Sequence, residues 1–182
     1  METKLDIRQW MKTLPLKGDK VVVRLFVAGD LSDAYISWLN NPEIVRFSNQ
    51  RFVKHDIASV RRYFESFACS SNVFLAIEDA KNQMHVGTMT VYVQPHHGTA
   101  DVGILVAENG NGFGKEAWGM VTKWLLETCK VRKVTAGTLS SNYAMIRLME
   151  HSGMHLEAIR YAQEVIEGKP QDILYFAKFN AV

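Results

Sequence analysis

Asn109-Gly110-Asn111-Gly112-Phe113-Gly114-Lys115-Glu116-Ala117 sets three glycines on alternate positions between a strand-like run and an amphipathic helix. Glycine lets the backbone turn tightly and come close to a ligand. The first N–H groups of a helix have no partner inside it, so they and the positive end of the helix dipole can grip an anion. Spacing alone leaves two readings, a phosphate-holding loop and a tight structural turn. The dinucleotide spacing G-x-G-x-x-G is absent, and Lys115 is followed by Glu116 rather than the Ser or Thr of a Walker loop.

Upstream of the loop, Thr99 to Val106 reads as a strand, preceded by the turn Pro95-His96-His97-Gly98. Before it, Val73 to Ile77 and His85 to Val93 flank the polar stretch Glu78 to Asn82 and predict a β-hairpin. A helix from Asp56 carries Ile57, Val60, Phe64 and Phe67 on one face. The β-branched run Val21 to Val27 predicts the first strand, and Asp30 or Ser32 can cap a helix through Leu39 that Asn40-Asn41-Pro42 ends. Residues 1–18, loosely helical and closed by Pro15 and Lys17-Gly18-Asp19, read as an N-terminal appendage to a single domain spanning 1–182.

Downstream, Ala117, Met120, Val121, Trp124, Leu125 and Thr128 mark the buried face of a helix, and Lys133 to Leu139 a strand. Asn142 opens a helix with Met145, Ile146, Leu148 and Met149 on its apolar side and Gly153 as its stop. Met154 to Val165 and Asp172 to Phe179 are strands separated by Glu167-Gly168-Lys169-Pro170. This order predicts an α/β fold, a mixed and mostly antiparallel sheet with helices on both faces.

Composition fits one globular domain: 182 residues, 47% hydrophobic and 22% charged. With 21 basic and 19 acidic residues the net charge is +2, which argues against a nucleic-acid or membrane-surface partner. Charges at Glu2, Lys4, Asp6, Arg8 and Lys12 interrupt any signal-peptide pattern, and a cytoplasmic protein is expected. Cys69 and Cys129 give no disulfide framework or zinc ribbon, and His85, His151 and His155 have no ligand-spaced partners, so no metal site is expected.

Ala100-Asp101-Val102-Gly103-Ile104-Leu105-Val106, the glycine loop, and Asn142 opening a helix that ends in His151-Ser152-Gly153-Met154 together resemble the GNAT superfamily of acyl-CoA-dependent N-acetyltransferases. Trp38 to Glu43 and Gly168 to Asp172 are similar to the branch that includes the ribosomal-protein N-terminal acetyltransferases. The resemblance implies a sheet splayed at an acetyl-CoA site. It puts Ile104, Leu105 and Val106 on the pantetheine arm, Asn109, Gly110, Asn111, Gly112, Phe113, Gly114 and Lys115 on the pyrophosphate, and Asn142 and Met145 beside the pantetheine, with Asn142 doubling as a helix cap.

Three positions depart from the family pattern. Asn109 replaces a Gln or Arg, and Met145 and Met149 stand where relatives carry Ser or Tyr, so neither can protonate a leaving thiolate. Asp101 is then the candidate general base and Tyr143 the candidate acid. Arg46, Gln50 and Arg51, in the connection that lines the acceptor pocket of such proteins, suit a polar or anionic acceptor, and His97 is a further candidate contact. The resemblance implies direct acetyl transfer to a protein N-terminus or a small amine such as an amino sugar, by a monomer or homodimer. An acyl-CoA-binding module without transfer activity is the alternative.

Overall fold

The computed structural model describes residues 7–108 and 110–180. The β-branched and apolar runs form eight strands: β1 (Leu16–Lys17), β2 (Val21–Leu25), β3 (Val73–Asp79), β4 (His85–Gln94), β5 (Thr99–Val106), β6 (Lys133–Leu139), β7 (His155–Ile166) and β8 (Lys169–Phe179). They make one sheet in the order β1-β2-β3-β4-β5-β6-β8-β7. All neighbours are antiparallel except β5 and β6, which run parallel. The helices are α1 (Ile7–Met11), α2 (Asp33–Leu39), α3 (Ile57–Ser66), α4 (Phe113–Lys123) and α5 (Tyr143–His151).

The helices divide between the two faces of the sheet. On one face Trp118 and Val121 of α4 and Met149 of α5 pack on Val23, Leu75, Met89 and Val91. On the other, Tyr35 and Leu39 of α2 and Val60 of α3 pack on Phe74 and Ala76 with Phe26, whose ring stacks on Phe74 at 4.2 Å between centroids. The stretch expected as an appendage is packed onto the first face wherever it is described. Trp10 is buried edge-on against Trp124, the Trp124 Nε1 donates to Thr13 Oγ1 at 2.7 Å, and β1 pairs with Val22 and Val23. Residues 1–6 lie outside the described residues.

Local sequence signals explain most boundaries. Ser32 caps α2 by accepting from the Tyr35 N–H, and Asp56 with Ser59 forms a reciprocal capping box at α3. Gly153 ends α5 in the left-handed region at φ 79°. Asp30, the other candidate cap for α2, has a different role: it is buried and takes a bidentate contact from the Arg24 guanidinium at 2.7 and 2.8 Å.

Two boundaries differ from expectation. The helix after the glycine loop begins at Phe113, and its last five residues, Trp124–Thr128, widen into a π-helical turn closed by the Cys129 N–H on the Trp124 carbonyl. The final hairpin turns on Glu167 and Gly168 alone, both at positive φ (51° and 77°), as a two-residue primed turn requires. Lys169 and Pro170 therefore belong to β8, with Pro170 opposite Val165.

The Asp30 contacts give a stability test. Burial pushes its carboxyl pKa up, but the Arg24 guanidinium and the Val27 N–H outweigh this and hold it below the ordinary carboxylate value. Its contribution is therefore present above the unfolded-state pKa and lost as pH falls through the lower folded-state one. Asp30→Ala should cost about 2–3 kcal/mol at pH 7 by urea unfolding, less than a fully buried pair because Arg24 is partly exposed. The gap to wild type should close only below about pH 4.

Candidate active site

Three register pairs join β5 to β6: Thr99 to Lys133, Ala100 to Val134 and Asp101 to Thr135. Both strands continue, β5 to Val106 and β6 to Leu139, without further pairing, so they part after Asp101. From Val102 onward β5 is paired through β4 only. Its other edge presents backbone N–H and C=O groups to the gap, a ladder that an extended amide-bearing chain could join.

The gap opens into a cleft of about 450 Å³. Ile104, Leu105 and Val106 line it with Gly110, Gly112 through Lys115, Asn142 and Met145. The structure thus gathers nearly all of the residues expected around the acyl donor. Asn109 lies outside the described residues, and the Asn111 side chain turns to Glu108 while its carbonyl accepts from Lys20. Asn142 caps α5, accepting from the Met145 N–H at 3.3 Å and donating to Thr138 Oγ1 at 3.1 Å, and also lines the cleft.

Glycine is required at the loop for two separate reasons. Gly112, the N-cap of α4, sits at φ 80° with no side-chain cap, leaving the first-turn N–H groups of the helix available. A Cβ on Gly114 would press on Val106 Cγ2 at 3.3 Å, so its absence lets α4 start close against β5. The Glu116 carboxylate fixes the loop from behind by accepting from the backbone N–H groups of Asp19, Lys20 and Val21 at 3.1, 2.8 and 2.8 Å. That tie brings the Lys20 ammonium to the Asn111 carbonyl at 3.1 Å. Lys20 is a cation at an anion-suited loop that sequence reading missed, because only the tertiary tie to Glu116 connects residues so far apart.

Asp101 points to the opposite side of the sheet, into a pocket of about 250 Å³ shared with Phe47, Asn49, Glu164 and Tyr175. Burial raises its carboxyl pKa, and the Thr135 hydroxyl, donating at 2.7 Å, offsets part of the shift. Phe47 lines both this pocket and the larger cleft. The two arginines read as anion contacts are matched by carboxylates of the final hairpin: Arg51 to Glu164 at 3.0 Å and Arg46 to Glu167 at 3.4 Å. Gln50 lines a neighbouring pocket with Tyr63 and Tyr92.

Two expected contacts are not brought in. Tyr143 is 70% exposed at the start of α5 and lines none of these clefts. His97 sits in the β4–β5 turn, where its carbonyl accepts from Arg132. That turn is at the far end of β5 from the glycine loop, roughly 25 Å away at strand rise. Among the described residues no group of His, Cys, Asp or Glu is placed to hold a metal ion, and no helix is long and apolar enough to cross a membrane.

A mostly antiparallel sheet that splays beside a glycine-rich helix start is what the resemblance to the GNAT acetyltransferases implies. The acetyltransferase (GNAT) domain matches residues 20–155, and the chain belongs to that family of acetyl-CoA-dependent N-acetyltransferases. Among its relatives is the Bacillus subtilis (strain 168) protein named "Probable N-acetyltransferase YjcK", 23% identical over 175 residues that make up 91% of this chain and 97% of that protein. Similar folds include a GNAT-family acetyltransferase from Bacillus anthracis, with TM-score 0.78, 16% identity, and coverage of 92% of this chain and 99% of that one. Spermidine N-acetyltransferase from Vibrio cholerae, solved with CoA and spermine, aligns with TM-score 0.81 at 17% identity over 90% of this chain and 97% of its own.

Asp101→Asn isolates the effect of the partly buried charge on the fold. A carboxyl whose folded-state pKa is raised contributes stability below its unfolded pKa and loses it as pH rises through the folded value. The neutral variant should therefore melt higher than wild type at pH 7–8, with the difference vanishing below about pH 4 in a thermal-melt series.

Proposed function

We propose that the chain transfers the acetyl group of acetyl-CoA to a primary amine by direct attack in a ternary complex. The observation that carries this is the separation of β5 from β6 after Asp101, with a long cleft on one side of the sheet and the Asp101 pocket on the other. The exposed edge of Val102 to Val106 suits the amides of the pantetheine arm. The uncapped start of α4, the glycines and the Lys20 ammonium suit the pyrophosphate. Acetyl-CoA supplies the activated thioester.

On this reading the acceptor arrives as an ammonium ion and gives its proton to the Asp101 carboxylate, directly or through water. The amine lone pair then forms the N–C bond at the acetyl carbon. Backbone N–H groups of the open β5 edge stabilise the oxyanion; the nitrogen, cationic once it has attacked, gives its second proton to water, and the C–S bond breaks to release the thiolate. The thiolate takes its proton from solvent, because Met145 lines the cleft and has none to give. Neither cysteine is placed to form a covalent acyl-enzyme: Cys129 is buried, its thiol pushed up to about 12 by burial, and neither it nor exposed Cys69 lines the clefts.

Two classes of acceptor fit the pocket beside Asp101, a protein N-terminus and a small molecule bearing one amine. The Vibrio cholerae enzyme, whose structure holds spermine, shows that the shared fold can also carry a polyamine.

Asp101→Asn should lower kcat by about 100-fold or more while leaving CoA affinity within twofold, as measured by thiol release and calorimetry. The acid limb of the wild-type pH–rate profile should lie above the ordinary carboxylate range and be absent from the variant. Unchanged turnover would remove Asp101 as the base. Lys20→Ala should weaken CoA binding about three- to tenfold, and the loss should shrink as salt is raised.

A further inference from the structure

Two pockets adjoin the donor cleft on the side of the sheet that carries α2 and α3, and they differ in character. The first holds Asp101 and Glu164. The second, about 220 Å³, is lined by Tyr63, Tyr92, Thr90, Gln50 and Gly103 and by no charged side chain. Segment 47–50 spans both, with Phe47 and Asn49 on the first and Ser48 and Gln50 on the second. The strand below connects them as well, since Asp101 and Gly103 lie two residues apart on one face of β5, opposite Tyr92 and Thr90 of β4. A Cβ on Gly103 would meet Thr90 Oγ1 at 2.8 Å, so glycine keeps the floor open beside Asp101.

The charges around these pockets are nearly all matched. Glu164 is paired with Arg51, and just outside, Glu167 is paired with Arg46. Arg160 stacks over the Tyr175 ring at 5.0 Å on the solvent side. Among the lining carboxylates Asp101 alone has no cation in contact, its partner being the Thr135 hydroxyl. The second pocket instead offers neutral hydrogen-bonding groups without a protein partner. The Gln50 amide and Thr90 hydroxyl make no side-chain hydrogen bond among the described residues. Tyr63 and Tyr92 share one hydrogen bond at 2.8 Å, so one of their two hydroxyl protons remains for a ligand.

From this distribution we infer that the acceptor carries a single amine on an uncharged, hydrogen-bonding body, with the amine at Asp101 and the body among Gln50, Thr90, Tyr63 and Tyr92. The inference rests on the acetyl-transfer reading above and narrows it. A second ammonium would find no further unpaired carboxylate in these pockets, and a phosphate or carboxylate on the acceptor would find no guanidinium in the lining of either one. The arginines of segment 46–51 therefore hold the hairpin in place and do not select an anion.

The test uses the full chain with saturating acetyl-CoA and follows thiol release. The acceptors are alanyl-serine amide and glucosamine as neutral-bodied monoamines, spermidine as a polycation, and glucosamine 6-phosphate as an anion. The expected kcat/KM for the better neutral monoamine exceeds those for spermidine and the phosphorylated amine by at least about tenfold. Higher efficiency with either charged acceptor would overturn the inference and leave the acetyl-transfer reading intact. Retained CoA binding with no thiol release for any amine would instead overturn that reading and the inference with it.

Variants separate recognition from folding. Gln50→Ala and Tyr92→Phe should each raise KM for the neutral acceptor about three- to tenfold while leaving kcat and CoA affinity within twofold, and an unchanged KM in both would overturn the inference. Glu164→Gln unpairs Arg51 and should shift the ratio of efficiencies toward glucosamine 6-phosphate by about tenfold. The double variant Arg51→Gln with Glu164→Gln, which leaves no unpaired charge, should return the wild-type ranking. If it keeps the shifted ranking, the charge-matching argument fails.

Discussion

The architecture of this enzyme depends on the place where backbone pairing between two parallel strands stops. β5 and β6 are held together as far as Asp101 and Thr135 and no further. Beyond that point β5 has an unpaired edge, and an unpaired edge in a protein interior is tolerated only where water or a ligand satisfies it. The same separation opens the sheet, so that groups on its two faces can reach one another. Asp101 marks the last paired rung, which puts its partly buried carboxyl at the apex of the gap.

The two sides of the gap are secured by different means. On the side of α4 and α5, apolar packing of Trp118, Val121 and Met149 on the sheet fixes the helices, while Glu116 ties the glycine loop to the β1–β2 turn through three backbone N–H groups. On the other side, part of the wall is electrostatic: the loop carrying Arg46 and Arg51 meets the hairpin carrying Glu164 and Glu167. Packing of the first kind gives a site of fixed shape. Ion pairing of the second kind sets which charges remain for a ligand.

Local chemistry made the cleft beside the glycine loop legible in the sequence. Alternating glycines, a β-branched strand before them and an asparagine at the next helix start each act within a few residues, and the resemblance to a known family joined them into one site. Features that depend on distant partners were not legible. Lys20 reaches the loop only through Glu116, and Arg46 and Arg51 looked like anion contacts because their carboxylate partners lie over a hundred residues away. Trp10 reads as part of a charged tail until the ring of Trp124 is found against it. The apolar pattern of Trp124 to Leu126 is equally compatible with an α-helical or a π-helical turn, so periodicity could not foresee the change of helix type.

The ion pairs between the loop and the final hairpin also constrain how the site can change. Each contact joins two segments remote in the chain, and altering one member alone leaves the other charge without its partner, so viable alterations come in compensating pairs. The glycine-loop side has no such requirement, because Glu116 holds the β1–β2 turn through backbone N–H groups that do not depend on the side chains there. A lineage of this fold could thus exchange loop and hairpin together while the glycine-loop side stayed fixed.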